Sequence, residues 1–503
     1  MADFDLVVTG NLVTAHRIVN DAFVAVSNGK IAFVGRGAPP AAREQIDARG
    51  QWVMPGVIDG QVNSGGQASQ EGLGRASRAA AAGGVTTLVD MPYDDPEPVW
   101  HGELLRAKAK QVERECHVDV ALCGTISEAH GTSTIAGLIE AGACAFKFST
   151  FEVAPGRFPR IEEDLLHDAF ALIAPSGLAS SVHNQMQELT RKNIARFTDS
   201  KETGWDAYGR AHTPLIEQLA TAMVYELGAL TGARAHVAHS SLARGFELCE
   251  MYKAAGNKAS IETCVQYLML NGESDLQRLG AKLKYYPPVR AQAEVELLWT
   301  HVAAGRCNFV SSDHLAWALE RKSNPNIFRN AAGGPGLETL LPAFWTGCEQ
   351  RGLSPSMVVK MLCEGPARHF MLRDRKGSFD LGSDADIVIA EPGRFVFDAS
   401  RSLSAAQWSG FDGREMRIRV GATFVRGQLV FDGSKIVNKP GHGRFQRPRV
   451  PGGDRPRPRP QAPARAPVPT AAPVPTAAPV PTAAPVPTAA PVPTAAPASR
   501  ADP

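Results

Sequence analysis

Between about residues 56 and 373, short apolar runs alternate with helix-like segments, and this constrains the chain more than any other feature. The runs 85–90 (VTTLVD), 118–123 (VDVALC), 143–148 (ACAFKF), 178–183 (LASSVH), 235–239 (AHVAH) and 308–312 (NFVSS) are strand-like. Segments such as 103–116 and 213–230 read as helices between them. Repetition at this spacing predicts βα units around a parallel sheet, most economically closed as a (β/α)₈ barrel. The two ends differ from the middle. Short β-prone runs occupy 4–9, 22–27 and 31–35, with Asn28-Gly29 as a hairpin turn, and again 386–390, 416–420, 423–425 and 428–431. The expected architecture is α/β: a TIM-like barrel over 56–373, a small β-sandwich built from 1–55 and 374–441, and a disordered Pro-rich tail over 442–503. From 466 the tail repeats Ala-Pro-Val-Pro-Thr-Ala, and proline at that density removes amide donors and favours extended chain.

Composition excludes several classes of function. Lys+Arg 53 against Asp+Glu 51 gives a formal charge of +2, which calls for neither nucleic acid nor an anionic membrane as partner. The eight cysteines are scattered singly without a C-x-x-C pair, as expected of reduced thiols in a cytoplasm. No secretory signal is visible in the acidic Met1–Asp5 start, and no apolar run reaches the roughly 18 residues of a membrane span.

The candidate chemistry lies at strand ends, where barrels of this kind carry their active sites. His183 ends the run 178–182, His239 follows Val237-Ala238, and Asp313 follows Phe309–Ser312. Lys147 is embedded in an apolar run, where a bare ammonium is costly. Singly, each has a plain structural explanation: a hydrogen-bonded histidine, a lysine reaching out from an edge, an aspartate capping a turn. Together, at the ends of successive strands, they point to a metal-dependent hydrolase. Strand alternation assigns His236 and His239 to opposite faces, so His239 is expected to point inward and His236 to be structural.

A wider set of motifs makes the sequence specific. Pro55–Asp59, Arg78–Thr87, Asp90-Met91-Pro92, His239-Ser240-Ser241, Glu262-Thr263-Cys264, Pro287–Arg290, Ser312-Asp313-His314, Gly333–Glu338 and Leu381–Asp386 occur in order across about residues 3–440. This set resembles the allantoinase/hydantoinase/dihydropyrimidinase branch of the amidohydrolase superfamily. The resemblance implies a hydrolase that opens a C–N bond in a small cyclic amide, ureide or imide. It further implies that Lys147 is carboxylated, that Lys147, His183, His239 and Asp313 are metal ligands, and that Asp313 is the catalytic proton shuttle. It also marks Tyr286 and Gly334 as substrate-binding positions and suggests a homo-oligomer, dimer or tetramer.

The departures are as informative as the matches. Where the family carries a His-x-His pair, this chain has Gln61-Val62-Asn63, and neutral amides are weak zinc donors beside imidazole. One divalent metal per chain is therefore expected, zinc by default, with manganese or cobalt also fitting. Gln61 and Asn63 would instead contact substrate, or donate to a developing oxyanion. Tyr286 replaces a residue that is commonly serine in hydantoinase-type relatives, and the loop 64–70 (SGGQASQ) lacks the family's acidic pattern. The competing readings are a non-catalytic relative serving in assembly and a different reaction, deamination or decarboxylation, at the same centre.

Overall fold

The computed structural model describes residues 4–65 and 71–449. The N-terminal strands β1 (Phe4–Val13), β2 (Ile18–Ser27), β3 (Lys30–Arg36) and β4 (Ala42–Pro55) lead directly into the barrel. Its strands are β5 (Val57–Val62), β6 (Val85–Asp90), β7 (Asp119–Gly124), β8 (Ala145–Ser149), β9 (Ala179–His183), β10 (Arg234–Val237), β11 (Ser260–Cys264) and β12 (Phe309–Ser311). They pair in chain order, all parallel. A parallel bridge between Val62 and His314, with Asn63 N donating to His314 O at 2.9 Å, joins the first strand to the segment after the last. The expected (β/α)₈ barrel is thus present. Among the described residues no helix is long and apolar enough to cross a membrane.

The helices between strands follow from local chemistry. Pro214 opens the helix Pro214–Thr231 at a position where no amide donor is needed, and Gly232, at φ 68°, closes it in a left-handed cap. The helix Gly102–Glu115 buries Leu105 and Val112 and leaves most of its charged residues outside. Inside the barrel, Ile58, Val89, Ala121, Ala145, Ala179 and Phe309 form a separate apolar cluster with Ala367, Phe370 and Leu372. Phe309 fits because Gly60 faces it; a Cβ there would lie 2.3 Å from the ring. This cluster is the dry floor beneath the strand ends.

After the barrel, β13 (Ile387–Val396), β14 (Glu415–Val425) and β15 (Gln428–Phe431) complete a seven-stranded mixed sheet in the order β15-β14-β13-β4-β1-β2-β3. Residues from both termini build it, and Leu6, Val8, Val24, Val53, Ile387 and Phe424 share one of its cores. The runs 416–420 and 423–425, expected as two strands, are one strand with an irregular register near Thr423.

The chain does not leave the body at 442. Gly443 N donates to Cys116 O at 2.9 Å, Val120 N to Arg444 O at 3.0 Å and Gln446 N to Val120 O at 2.8 Å, so this segment runs as an added partner along β7. Arg449 N still donates to Met371 O at 2.9 Å. Residues 442–449 therefore belong with the folded body, against the expectation that the tail begins at 442. Backbone pairing holds them, which composition does not reveal. The disorder expected of the remaining tail falls on residues 450–503, outside the described residues.

Candidate active site

Lys147, His183, His239 and Asp313 all line one cavity of about 250 Å³, together with Gln61, Asn63 and Tyr286. That size, just below the roughly 300–1,000 Å³ of drug-sized pockets, suits a small ring rather than a polymer. Lys147 and His183 reach it from β8 and β9. His239 and Asp313 lie just past β10 and β12 and turn inward through left-handed backbone, φ 40° and 47°. Gln61 and Asn63 come from the end of β5, where the register with β6 shifts between Asp59 and Val62.

Two polar units meet here. In the first, Lys147 Nζ donates to Gln61 Oε1 at 3.1 Å, and Gln61 Nε2 donates to Asp313 Oδ1 at 3.0 Å. Asn63 Nδ2 donates to the same oxygen at 3.2 Å. With its oxygen toward the lysine and its nitrogen toward the carboxylate, the Gln61 amide complements both neighbours. Burial pushes the Lys147 amine down, against the opposing charges of Glu262 and Asp313. Burial pushes the Asp313 carboxyl up, partly offset by the Gln61 hydrogen bond and the Lys147 charge. Both groups are thus driven toward their neutral forms.

In the second unit, His183 Nδ1 and His239 Nε2 face each other at 3.0 Å, and His183 Nε2 lies 3.3 Å from Gln185 Oε1. Burial holds His183 down to about 3 and His239 well below the usual imidazole range, so both rings are neutral near pH 7. Buried His239 Nδ1 has no hydrogen-bond partner among the described residues.

The donor set differs between the two sides of the cavity. Facing neutral ring nitrogens 3.0 Å apart can share a cation, because zinc–nitrogen bonds of about 2.0–2.1 Å span such a gap. Lys147 lines the same cavity and could supply an oxygen ligand if carboxylated. Beside Asp313, by contrast, Gln61 and Asn63 present N–H donors where ligands would be needed. Among the described residues no group of three or more His, Cys, Asp or Glu side chains is arranged to hold a metal. The same two hydrogen bonds engage one N–H of Gln61 and one of Asn63 with Asp313.

A second layer fixes this geometry. Asp59, buried and pushed up to about 6, accepts from Ser312 N at 3.0 Å and Gln61 N at 3.3 Å, so one carboxyl ties the backbone next to Asp313 to that of Gln61. His314 bonds Glu71 at 3.0 Å and accepts from Gly336 N at 3.0 Å. Glu262 accepts from His239 N at 3.3 Å.

Two placements differ from expectation, and five lining residues carry no sequence signal of their own. His236 does not take the opposite face from His239: its ring stacks on Phe309 at 5.4 Å and bonds Ser260 Oγ at 2.9 Å, inside the barrel below the site. Alternation fails because β10 ends at Val237 and the chain then turns. Gly334 is not part of the cavity lining; it packs under Trp408 and Tyr285, and Gly333 lines the cavity instead. Arg157, Phe158, Lys284, Trp317 and Asn330 also line it and were not foreseen. They come from long connections, and the one signal that could have found Arg157 is its place in the loop following the Lys147 strand. Of the loop 64–70, residues 66–70 lie outside the described residues.

Residues 52–430 match the model described as the amidohydrolase family. The chain belongs to that family. It is 34% identical over 459 residues to an allantoinase of Rubrobacter xylanophilus, covering 90% of this chain and 100% of that protein. An L-hydantoinase of Paenarthrobacter aurescens is 30% identical over 451 residues, 88% of this chain and 98% of its own. Among solved structures, the L-hydantoinase (dihydropyrimidinase) from Arthrobacter aurescens superposes with a TM-score of 0.85 at 29% identity, covering 88% of this chain and 99% of the other. Members of this family generally bind divalent metals, which agrees with the neutral imidazole pair.

Proposed function

We propose that this protein hydrolyses a C–N bond of a small cyclic amide, ureide or imide, and that it does so with one divalent metal rather than two. Kinship with allantoinases and hydantoinases makes it a hydrolase of carbon–nitrogen bonds in cyclic amides. The observation that carries the one-metal reading is the pairing of the two units in one cavity: facing neutral imidazoles on one side, and an amide-bridged lysine and carboxylate on the other.

In this reading His183 and His239 hold the cation, zinc by default, with carboxylated Lys147 as third donor. When bound, such an ion supplies a nucleophile from water near neutral pH and polarises the scissile carbonyl. Asp313 takes the proton of the attacking water and returns it to the leaving nitrogen. Gln61 and Asn63 both donate to Oδ1, which leaves Oδ2 for that proton, and burial raises the proton affinity the task requires. Tyr286 and Gly333 border the ring.

Metal analysis of the purified protein should find about one equivalent per chain, alongside turnover of a panel of hydantoins, dihydropyrimidines, allantoin and cyclic imides. Two tightly held equivalents would sink the one-metal assignment; no metal and no turnover would leave a non-catalytic relative. Replacing Gln61 and Asn63 together by histidine (Q61H/N63H) should add a second equivalent, because Lys147 and Asp313 flank the same spot. If no second ion binds, the end of β5 has changed shape as well as chemistry.

A further inference from the structure

The cavity is strongly asymmetric in charge. Arg157, Lys284, Arg321 and Arg329 line it in addition to Lys147, and Asp313 is the one carboxylate among the described lining residues. These cations are not equivalent. Lys284 Nζ donates to the carbonyls of Ile327, Phe328 and Asn330 at 2.9, 3.2 and 2.6 Å, so its donors are spent on the loop. Arg321 lies over the Trp317 ring at 4.8 Å, and Arg321 and Arg329 are exposed. Arg157 is half-buried, and among the described residues its hydrogen bonding is a single contact from Nη1 to Tyr93 O at 2.9 Å. The opposing charges that act on it are Asp95, exposed and outside the lining, and Asp94, which Lys108 holds at 2.7 Å, and neither forms an ion pair with it among the described residues.

The position of Arg157 matters. The adjoining Phe158 stacks on Tyr93 at 3.6 Å and meets the His183 ring edge-on at 5.8 Å. The guanidinium lines the same cavity as His183 and, among the described residues, spends one of its donors. A half-buried guanidinium without a carboxylate partner is poorly compensated unless a ligand supplies the anion.

We infer that the ring this enzyme opens carries an anionic substituent, a carboxylate on a short arm, which Arg157 receives while Arg321 and Arg329 draw it to the mouth. This rests on the cyclic-amide reading of the same site. Neutral amides and ureides would leave the guanidinium unpaired, and an acidic arm would pair with it in a planar, two-point geometry.

Hydantoin-5-acetic acid and hydantoin-5-acetamide differ in charge with the ring unchanged, and both can be offered to the full-length protein. The acid should be the better substrate by kcat/KM, chiefly through KM. In Arg157→Gln the acid should lose on the order of tenfold to a hundredfold more than the amide, the loss expected for a charge-assisted pair. Arg157→Lys should recover part of it. Equal use of both rings by the wild type, or equal losses in the variant, overturns the inference and leaves the cyclic-amide reading standing. If neither ring is opened, that reading fails for hydantoins, and calorimetric titration with the same two compounds decides the inference. Tighter binding of the acid that is lost in Arg157→Gln supports it; equal or absent binding overturns it.

Discussion

Asp313→Asn should lower kcat by about 10²–10⁴, the usual cost of losing a general base, without unfolding the protein. Asparagine keeps the shape of the side chain and can keep its Oδ1 as acceptor for Gln61 and Asn63, so the bonds at 3.0 and 3.2 Å survive. What disappears is the second carboxylate oxygen and with it the proton acceptor. The control is built into the site: a variant that retained near-normal turnover with unchanged circular dichroism would reduce Asp313 to a residue that anchors two amides. A variant that lost its metal as well as its activity would mean that the carboxylate helps hold the cation, contrary to the division into two units.

The largest effect on stability should come from a position far from the chemistry. Lys376 is fully buried and bonds Asp119, with Asp384 at 2.9 Å and Asp386 at 2.8 Å, while Arg426 also reaches Asp119. Gln446 Nε2 and Arg444 N also donate to Asp119, at 3.0 and 2.9 Å. The cluster fastens barrel strand β7, the approach to β13 and the C-terminal segment to one another. Lys376→Met preserves the bulk and removes the charge that Asp119, Asp384 and Asp386 share, leaving Asp386 without a cationic side chain among the described residues. Breaking a buried network from one side typically costs about 3–5 kcal/mol, readable as a lower urea midpoint at unchanged slope. A loss under about 1 kcal/mol, the scale of an exposed pair, would show that Arg426 on Asp119 and Lys30, 2.6 Å from Asp384, suffice.

The barrel was legible because its signal is repeated: each strand is an apolar run of similar length, and an error in one is corrected by its neighbours. The candidate site was legible at His183, His239, Asp313, Gln61 and Asn63 because they lie at or just past strand ends, where sequence position and spatial position coincide, and at Lys147 because a lysine inside the apolar strand Ala145–Ser149 is conspicuous. Legibility failed where the backbone leaves regular structure. Alternation misassigned His236 because β10 stops two residues before His239. Arg157, Lys284 and Trp317 reach the cavity through loops whose paths no periodicity records. Residues 442–449 look like the start of a tail by composition, yet they satisfy amide and carbonyl groups of β7, and backbone pairing leaves no mark on side-chain choice.

The left-handed backbone at His239 and Asp313 has a bearing on how this enzyme could be altered. Both residues sit in a conformation that costs a residue with a side chain more than glycine. A search for heat-resistant variants that monitored folding alone would therefore be drawn toward glycine at the two places where a side chain matters most. Hardening this scaffold without disarming it requires that positions 239 and 313 be withheld from selection, with gains sought in surface positions and helix caps away from the strand ends.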